Sequence, residues 1–252
     1  TPYFADINGD GIDDLLLQAN TPEQSSALIF GETRADGIRY RVSNQQLLPA
    51  QLAGSSWDAG AAQLAVADFN GDSKADLLVV LPTQNRTVTF LADSKGYNFN
   101  TGLVQTSDEL AWLSDAADFT FHPGDFNADG RQDLLAVSAQ KQAHCLMHSN
   151  ADGRLSIVQT LKKNIKWGKN NADSLLIADY NGDGRDDITA LSQHKNKDHY
   201  VIYSDDNGLL DTKHTSTRGA KIADQDWHTD VHSIIIAGSE AELVKLHNDT
   251  GG

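Results

Sequence analysis

DFNGDSKAD, residues 68–76, lies between the apolar runs QLAVA (63–67) and LLVVL (77–81), and its frame returns three more times: DINGDGIDD at 6–14, DFNADGRQD at 125–133 and DYNGDGRDD at 179–187. All four read Asp-x-Asn-x-Asp-x-x-x-Asp, with starts 62, 57 and 54 residues apart. Self-similarity at such a period marks a repeat architecture and outranks any local reading. An apolar run follows each frame at once, LLLQA, LLVVL, LLAVS or ITALS, and runs such as QLAVA or LLIA precede. Short apolar runs bounded by turn residues are strands, so each frame joins two of them. In the second copy two weaker strand-like stretches follow, TVTFLAD (87–93) and YNFNTGLVQ (97–105), parted by Ser94-Lys95-Gly96. Each unit thus carries about four strands, the content of a propeller blade.

Trp57, Trp112, Trp167 and Trp227, all the tryptophans of the chain, stand 55, 55 and 60 residues apart, one ahead of each following unit's first strand. On that ruler SIIIAG from Ser233 aligns with SLLIAD from Ser174, and Gly238 falls where Asp179 stands. A fifth unit therefore begins without the acidic frame, and one further apolar run, AELVKLH (241–247), follows it. The sequence predicts an all-β chain: a β-propeller of four full four-stranded blades and a partial fifth, with repeats near 1–57, 58–112, 113–167, 168–227 and 228–252. They form a single domain or part of one, and stacking such units radially protects their sheet edges. The tryptophans are expected to fill the space between successive blades, the alternative being rings that stack on sugars.

Calcium takes six to eight oxygens, and a tight loop supplies them from alternating positions. The expected ligands are Asp6, Asn8, Asp10, the carbonyl of Ile12 and Asp14; Asp68, Asn70, Asp72, the carbonyl of Lys74 and Asp76; Asp125, Asn127, Asp129, the carbonyl of Arg131 and Asp133; and Asp179, Asn181, Asp183, the carbonyl of Arg185 and Asp187. Side chains at the seventh position are expected to point outward. An EF-hand opens similarly but requires a bidentate Glu at the twelfth position between helices. Here that position holds Leu17, Val79, Ala136 and Ala190 inside strand-like runs, which excludes it. The sixth position favours φ > 0, which Gly11, Gly130 and Gly184 supply. Ser73 breaks the rule at a cost of about 1 kcal/mol, so the second loop is expected to be the weakest site. Three carboxylates per loop repel one another unless a cation neutralises them, which favours metal loops over plain Asx turns. About four structural calcium ions at the blade hairpins are expected, moving the formal charge from -15 to -7. The metal holds turns rather than reacting.

Composition agrees. An excess of 35 acidic over 20 basic residues argues against nucleic acid or an anionic membrane surface as partner. No apolar stretch approaches the ~18 residues of a membrane span, so no membrane insertion is expected. The chain opens at Thr1 without Met and closes at Gly252 in a polar tail, as a mature or excised piece would, and a lost signal peptide stays open. Cys145, the one cysteine, can form no internal disulfide and is expected to be a small buried residue. His144 and His148 share a face if AHCLMH is a strand, and His194 and His199 flank a Lys/Asn turn; none has the partners of a zinc site. Asn85-Arg-Thr and Asn248-Asp-Thr fit the N-glycosylation sequon. Gly-x-Ser-x-Gly, His-Glu-x-x-His and phosphate-cradling glycine loops are missing, so a non-catalytic protein is expected. A paired-carboxylate glycosidase or lyase is the enzymatic alternative.

The four loops resemble the FG-GAP or VCBS repeats of integrin α-chain propellers and of many bacterial secreted proteins, with IFGE from Ile29 as a vestige of the naming element. That resemblance implies a propeller with calcium at its blade hairpins, meeting protein or carbohydrate through rim loops and joined to other domains of a larger parent chain. It implies an extracellular setting, secreted or on the cell surface, in toxins, adhesins and similar proteins. Extracellular calcium modules bind at about 10⁻⁴–10⁻³ M, which suits that setting. A lectin reading glycans directly is the alternative within the same frame.

Overall fold

The computed structural model describes residues 1–35, 37–52, 54–138, 143–162, 174–191, 199–211, 215–217, 221–222, 225–226, 232–237 and 242–247. Those residues are all-β, with helix confined to two 3₁₀ turns, Pro82–Gln84 and Ala111–Asp118.

Four sheets each take four strands in chain order. The first holds Pro2–Ala5, Asp14–Leu17, Ala27–Arg34 and Gly37–Leu47, and the second Gln63–Ala67, Asp76–Leu81, Arg86–Phe90 and Leu103–Thr106. The third holds Thr120–Gly124, Asp133–Ser138, Ala143–Ser149 and Leu155–Lys162, and the fourth Ser174–Ala178, Asp187–Leu191, His199–Ile202 and Thr215–Thr217. The acidic frame closes the opening hairpin of each meander: Ala5 pairs with Asp14, Ala67 with Asp76 and Ala178 with Asp187. A final antiparallel pair, His232–Ala237 with Glu242–His247, matches the two runs read for the fifth unit, whereas Gly238 lies outside the described residues.

By compactness the chain divides into two units, Thr1–Pro123 with Arg131–Asp133 and Ser149–Ser156, and Gly124–Gly130 with Leu134–His148 and Ile157–Gly252. The core of the first lies between its first two sheets, where Leu16 and Leu28 meet Leu77, Val79, Leu81, Val88 and Phe90. In the second, Phe126, Leu135, Val137 and Leu146 meet Ile188, Ala190 and Ile202. Each fully buried aliphatic side chain contributes about 1.5–3 kcal/mol. Cys145 is buried and forms no disulfide.

Trp57 is 1% exposed, joins the first core and donates its indole N–H to the Pro49 carbonyl at 2.6 Å. Trp112, in the second 3₁₀ turn, packs against Phe119 and Phe121 with ring centroids 5.8 and 5.3 Å away. Both are buried, so neither offers a face to a sugar and the stacking alternative fails for this pair. Trp167 and Trp227 lie outside the described residues.

One strand differs from expectation. YNFNTGLVQ is not a single element: Gly96–Tyr97 turns back on Ala92–Asp93 as a small hairpin, and the fourth strand starts only at Leu103. Gly96 explains the turn, since its φ of +99° is one that side chains rarely adopt and a Cβ there would stand 2.4 Å from Gln46 Oε1.

Buried Gln105 and half-buried Gln159 each reach across repeats. Gln105 Nε2 donates to the Leu155 carbonyl at 2.9 Å while its Oε1 accepts from Leu155 N at 2.8 Å, and Gln159 makes the same pair with Leu210 at 3.0 Å each way.

Candidate metal loops and a neighbouring cleft

Each loop is wound around its first aspartate. Asp6 Oδ1 accepts from the amides of Gly9 (2.7 Å) and Asp10 (3.1 Å), and its Oδ2 from that of Gly11 (2.7 Å). Asp68 takes Gly71, Asp72 and Ser73 in the same way, and Asp179 takes Gly182, Asp183 and Gly184. Asp125 receives Asp129 and Gly130. The third residue accepts from the fifth, as Asn8 Oδ1 does from Asp10 N at 2.9 Å, and the fifth from the seventh, as Asp10 Oδ1 does from Ile12 N at 2.9 Å. These are nested Asx turns.

The winding demands two left-handed residues per loop. The sixth position has φ of +80°, +65°, +81° and +86° at Gly11, Ser73, Gly130 and Gly184. The fourth has +78°, +80°, +57° and +77° at Gly9, Gly71, Ala128 and Gly182, a requirement the sequence reading did not include. Ala128 therefore brings the third loop a penalty like that of Ser73 in the second.

The ninth aspartate has a different task. Asp14, Asp76, Asp133 and Asp187 are fully buried. One oxygen takes the amide of the loop's second residue: Ile7 at 3.0 Å for Asp14, Phe69 at 3.0 Å for Asp76 and Tyr180 at 3.2 Å for Asp187. The other takes an amide within the third strand, Gly31 and Ser149 for Asp14 and Asp133, or just past its end, Ala92 and Ser204 for Asp76 and Asp187, each at 2.9 Å. Gly31 belongs to IFGE, and a Cβ there would stand 2.5 Å from the Asp13 carbonyl. Burial pushes Asp76 up to about 7 against the pull of its two amides, with Asp72 and Asp68 adding to the rise. Burial likewise takes Asp187 to about 6 and raises Asp14. At Asp179 burial also pulls upward, yet four loop amides outweigh it and hold that carboxyl below its ordinary value.

The loops are linked to one another. The amide of the eighth residue donates to the carbonyl of the first residue of the preceding loop: Ala75 to Asp6 and Gln132 to Asp68 at 2.7 Å, and Asp186 to Asp125 at 2.8 Å. The eighth carbonyl accepts in turn from a hydroxyl of its own repeat, Tyr40, Tyr97, Ser149 or Ser204. Residue type at the eighth position is Asp, Ala, Gln and Asp, so no side-chain pattern announced these main-chain bonds.

At two of the four seventh positions the side chain curls onto its own loop instead of pointing outward, while at a third Arg131 Nε donates to the Ser149 carbonyl at 3.1 Å. Lys74 Nζ lies 3.0 Å from Asp72 Oδ2, and Arg185 lies 2.7 Å from Asp183 and 3.0 Å from Asp206. A carboxylate so close attracts its cation more strongly than solvent-separated charge would. Among the described residues, no three Asp, Glu, His or Cys side chains converge as a metal's ligands would. His144 and His199 are buried, His148 Nε2 lies 3.0 Å from the Gly208 carbonyl, and His194 lies outside the described residues.

Beside the second sheet's small hairpin lies an open cleft of about 450 Å³ lined by Gln46, Asp93, Lys95, Asn98, Phe99 and Asn100, among others. Its aromatic floor is fixed: Phe99 packs against Phe90, Trp57 and Tyr97 at 4.8, 5.8 and 6.1 Å. Gln46 is one of two glutamines on the fourth strand of the first sheet, and its buried Oε1 has no hydrogen-bond partner among the described residues. Sequence pattern hides this cleft, because the small hairpin that walls it carries strand-like residues.

A family model described as FG-GAP-like repeat matches residues 125–190, from the third loop through the fourth. A T-cell immunomodulatory protein homolog of Plasmodium yoelii yoelii is 24% identical over 99% of this chain, which spans 35% of that protein's length. A solved Agrocybe aegerita lectin, described as recognising non-reducing terminal N-acetylglucosamine, superposes with TM-score 0.58 at 17% identity, over 86% of this chain and 51% of its own. The exotype rhamnogalacturonan lyase YesX reaches only TM-score 0.45 at 13% identity, over 100% of this chain and 54% of its own. The chain thus carries an FG-GAP-like repeat and shares an all-β arrangement with a lectin.

Proposed function

We propose that the chain is a non-catalytic recognition module, an arc of a calcium-stabilised β-propeller, acting outside the cell and meeting glycan or protein through surface loops. The observation that carries it is the linkage of successive acidic loops through Ala75–Asp6, Gln132–Asp68 and Asp186–Asp125, because an ion in one loop then stiffens its neighbour too. The residues fit calcium: each loop offers Asp, Asn and carbonyl oxygens with no soft donor, and the charge at Asp72 and Asp68 burdens buried Asp76 until a cation offsets it. Ligands in each loop would be the residues at positions one, three, five and nine with the seventh carbonyl, named above. Exchange of amide bonds for metal bonds at the first and ninth aspartates is what such binding requires of this geometry.

Two things favour carbohydrate over protein as the ligand. One is the likeness to a glycan-recognising lectin. The other is the cleft, whose Phe99 ring, partly exposed, is ringed by Asp93, Lys95, Asn98 and Asn100. Sugars present apolar C–H faces and many hydroxyls, which an aromatic floor and amide or carboxylate rim satisfy together. A glycan array run in calcium and again in EGTA tests this. The reading expects binding to a defined glycan class, lost in EGTA and weakened at least tenfold by Phe99→Ala. A silent array in calcium would contradict the glycan reading, and turnover of the bound glycan would contradict the non-catalytic one.

A further inference from the structure

One face of the first sheet is covered only in part: Ile29 is buried on it, but its apolar neighbours are not. Paired residues in a sheet point the same way and neighbours along a strand point opposite ways. The registers Ala5–Asp14, Tyr3–Leu16 and Leu16–Leu28 therefore place Tyr3, Ala5, Leu16 and Leu28 on one face. Phe4–Leu15, Pro2–Leu17 and Ala27–Leu47 place Phe4, Leu15, Leu17 and Leu47 on the other. The first of these faces is sealed against the second sheet. On the other, Phe4 is 58% exposed, Leu17 37% and Leu47 65%. Tyr40 meets Phe4 edge-on there, with ring centroids 5.8 Å apart.

The repeat itself says what belongs on this face. Counted from the loop, Leu15 and Leu17 correspond to Leu77 and Val79 in the second sheet and to Ile188 and Ala190 in the fourth. All four of those counterparts are buried. Leu77 and Val79 pack with Leu16 and Leu28 of the preceding sheet, and Ile188 and Ala190 with Leu135 and Val137 of theirs. The main chain repeats the message. Ala75, Gln132 and Asp186, each eighth in its loop, donate to the first carbonyl of the loop before. Asp13 is eighth in the first loop, and among the described residues its amide has no such acceptor.

We propose that this face seats a further repeat of the same class, carried by polypeptide beyond these 252 residues, which lays its own Leu16-type face on Phe4, Leu17 and Leu47 and offers the first carbonyl of its acidic loop to the Asp13 amide. The chain corresponds to 35% of its named relative, so that protein has ample length to carry one. Apolar side chains this exposed on a contiguous sheet face are costly in water and mark an interaction surface.

The test extends the chain with its own repeat. Residues 58–119 are fused directly ahead of Thr1, which keeps register because Thr120 precedes Asp125 by the same five residues as Thr1 precedes Asp6. The added repeat should raise the melting temperature by several degrees and slow exchange of the Asp13, Phe4 and Leu15 amides. Phe4→Asp with Leu47→Asp should erase both gains and abolish binding of a hydrophobic dye by the unextended chain, at a cost to its melting no larger than that of Tyr40→Ala, which removes the same edge-on ring contact. Three results would overturn the proposal: a folded fusion with no gain, destabilisation of the unextended monomer by the double substitution well beyond that of Tyr40→Ala, or concentration-dependent dimers that the double substitution dissolves. The dye and melting measurements on the unextended chain decide the matter even if the fusion misfolds, since a face already covered there would bind no dye.

Discussion

Asp76 accepts two buried amides, Phe69 N at 3.0 Å and Ala92 N at 2.9 Å, and thereby ties the loop to the start of the return from the third strand. Asp76→Ala leaves both donors without a partner in the core and should cost about 2–4 kcal/mol in urea unfolding with EGTA present. A loss under about 1 kcal/mol would mean water replaces the carboxylate freely. Ser73→Gly and Ala128→Gly remove left-handed strain and should each add roughly 0.5–1 kcal/mol, measured the same way. By the same strain the loops at 68–76 and 125–133 should bind calcium more weakly than those at 6–14 and 179–187. His122 is held down to about 4 by burial, below the ordinary 6.5. The sign follows: above 6.5 both states are neutral and its stabilising effect is whole, and as pH falls from 6.5 towards 4 the unfolded chain takes the proton first and that effect is lost. His122→Gln should flatten the fall of melting temperature across that window, and an unchanged slope would contradict the assignment. At this scale the alternating Asp and Asn positions were legible because side-chain chemistry announces them. The ninth aspartate's inward turn, the fourth-position φ and the curl of Lys74 and Arg185 were not, since each depends on neighbours distant in sequence.

At the scale of elements, four strands per repeat followed from short apolar runs and from the turn residues between them. The misread element, 97–105, shows the limit. Its Tyr97 and Phe99 look strand-like, yet both are drawn into the aromatic cluster with Trp57 and Phe90, and Gly96 lets the chain double back to put them there. Tertiary burial overrode local pattern. Trp57 anchors that cluster and bonds Pro49 as well, so Trp57→Ala should cost about 3–5 kcal/mol and also loosen the floor of the cleft. Trp57→Phe should keep much of the stability while losing the indole bond. Comparing both variants by chemical unfolding and by sugar binding separates the packing role from the site.

For the whole molecule, the Trp and Asp periods gave the repeat, and the links between repeats lay in backbone atoms that no residue letter encodes. Those links make the loops a series rather than four independent turns. At tenfold excess over Kd each ion would stabilise the fold by about 1.4 kcal/mol, and four independent ions would contribute about 5–6, comparable with the whole stability of many domains before any coupling through the links is counted. The most direct measurement is therefore calorimetric titration of calcium into the EGTA-stripped protein, read beside its thermal unfolding with and without the ion. The account predicts about four ions bound and melting raised by many degrees, with the two strained loops filling last. No calcium uptake and identical melting curves would show that the loops are Asx turns alone and that their acidity has some other cause.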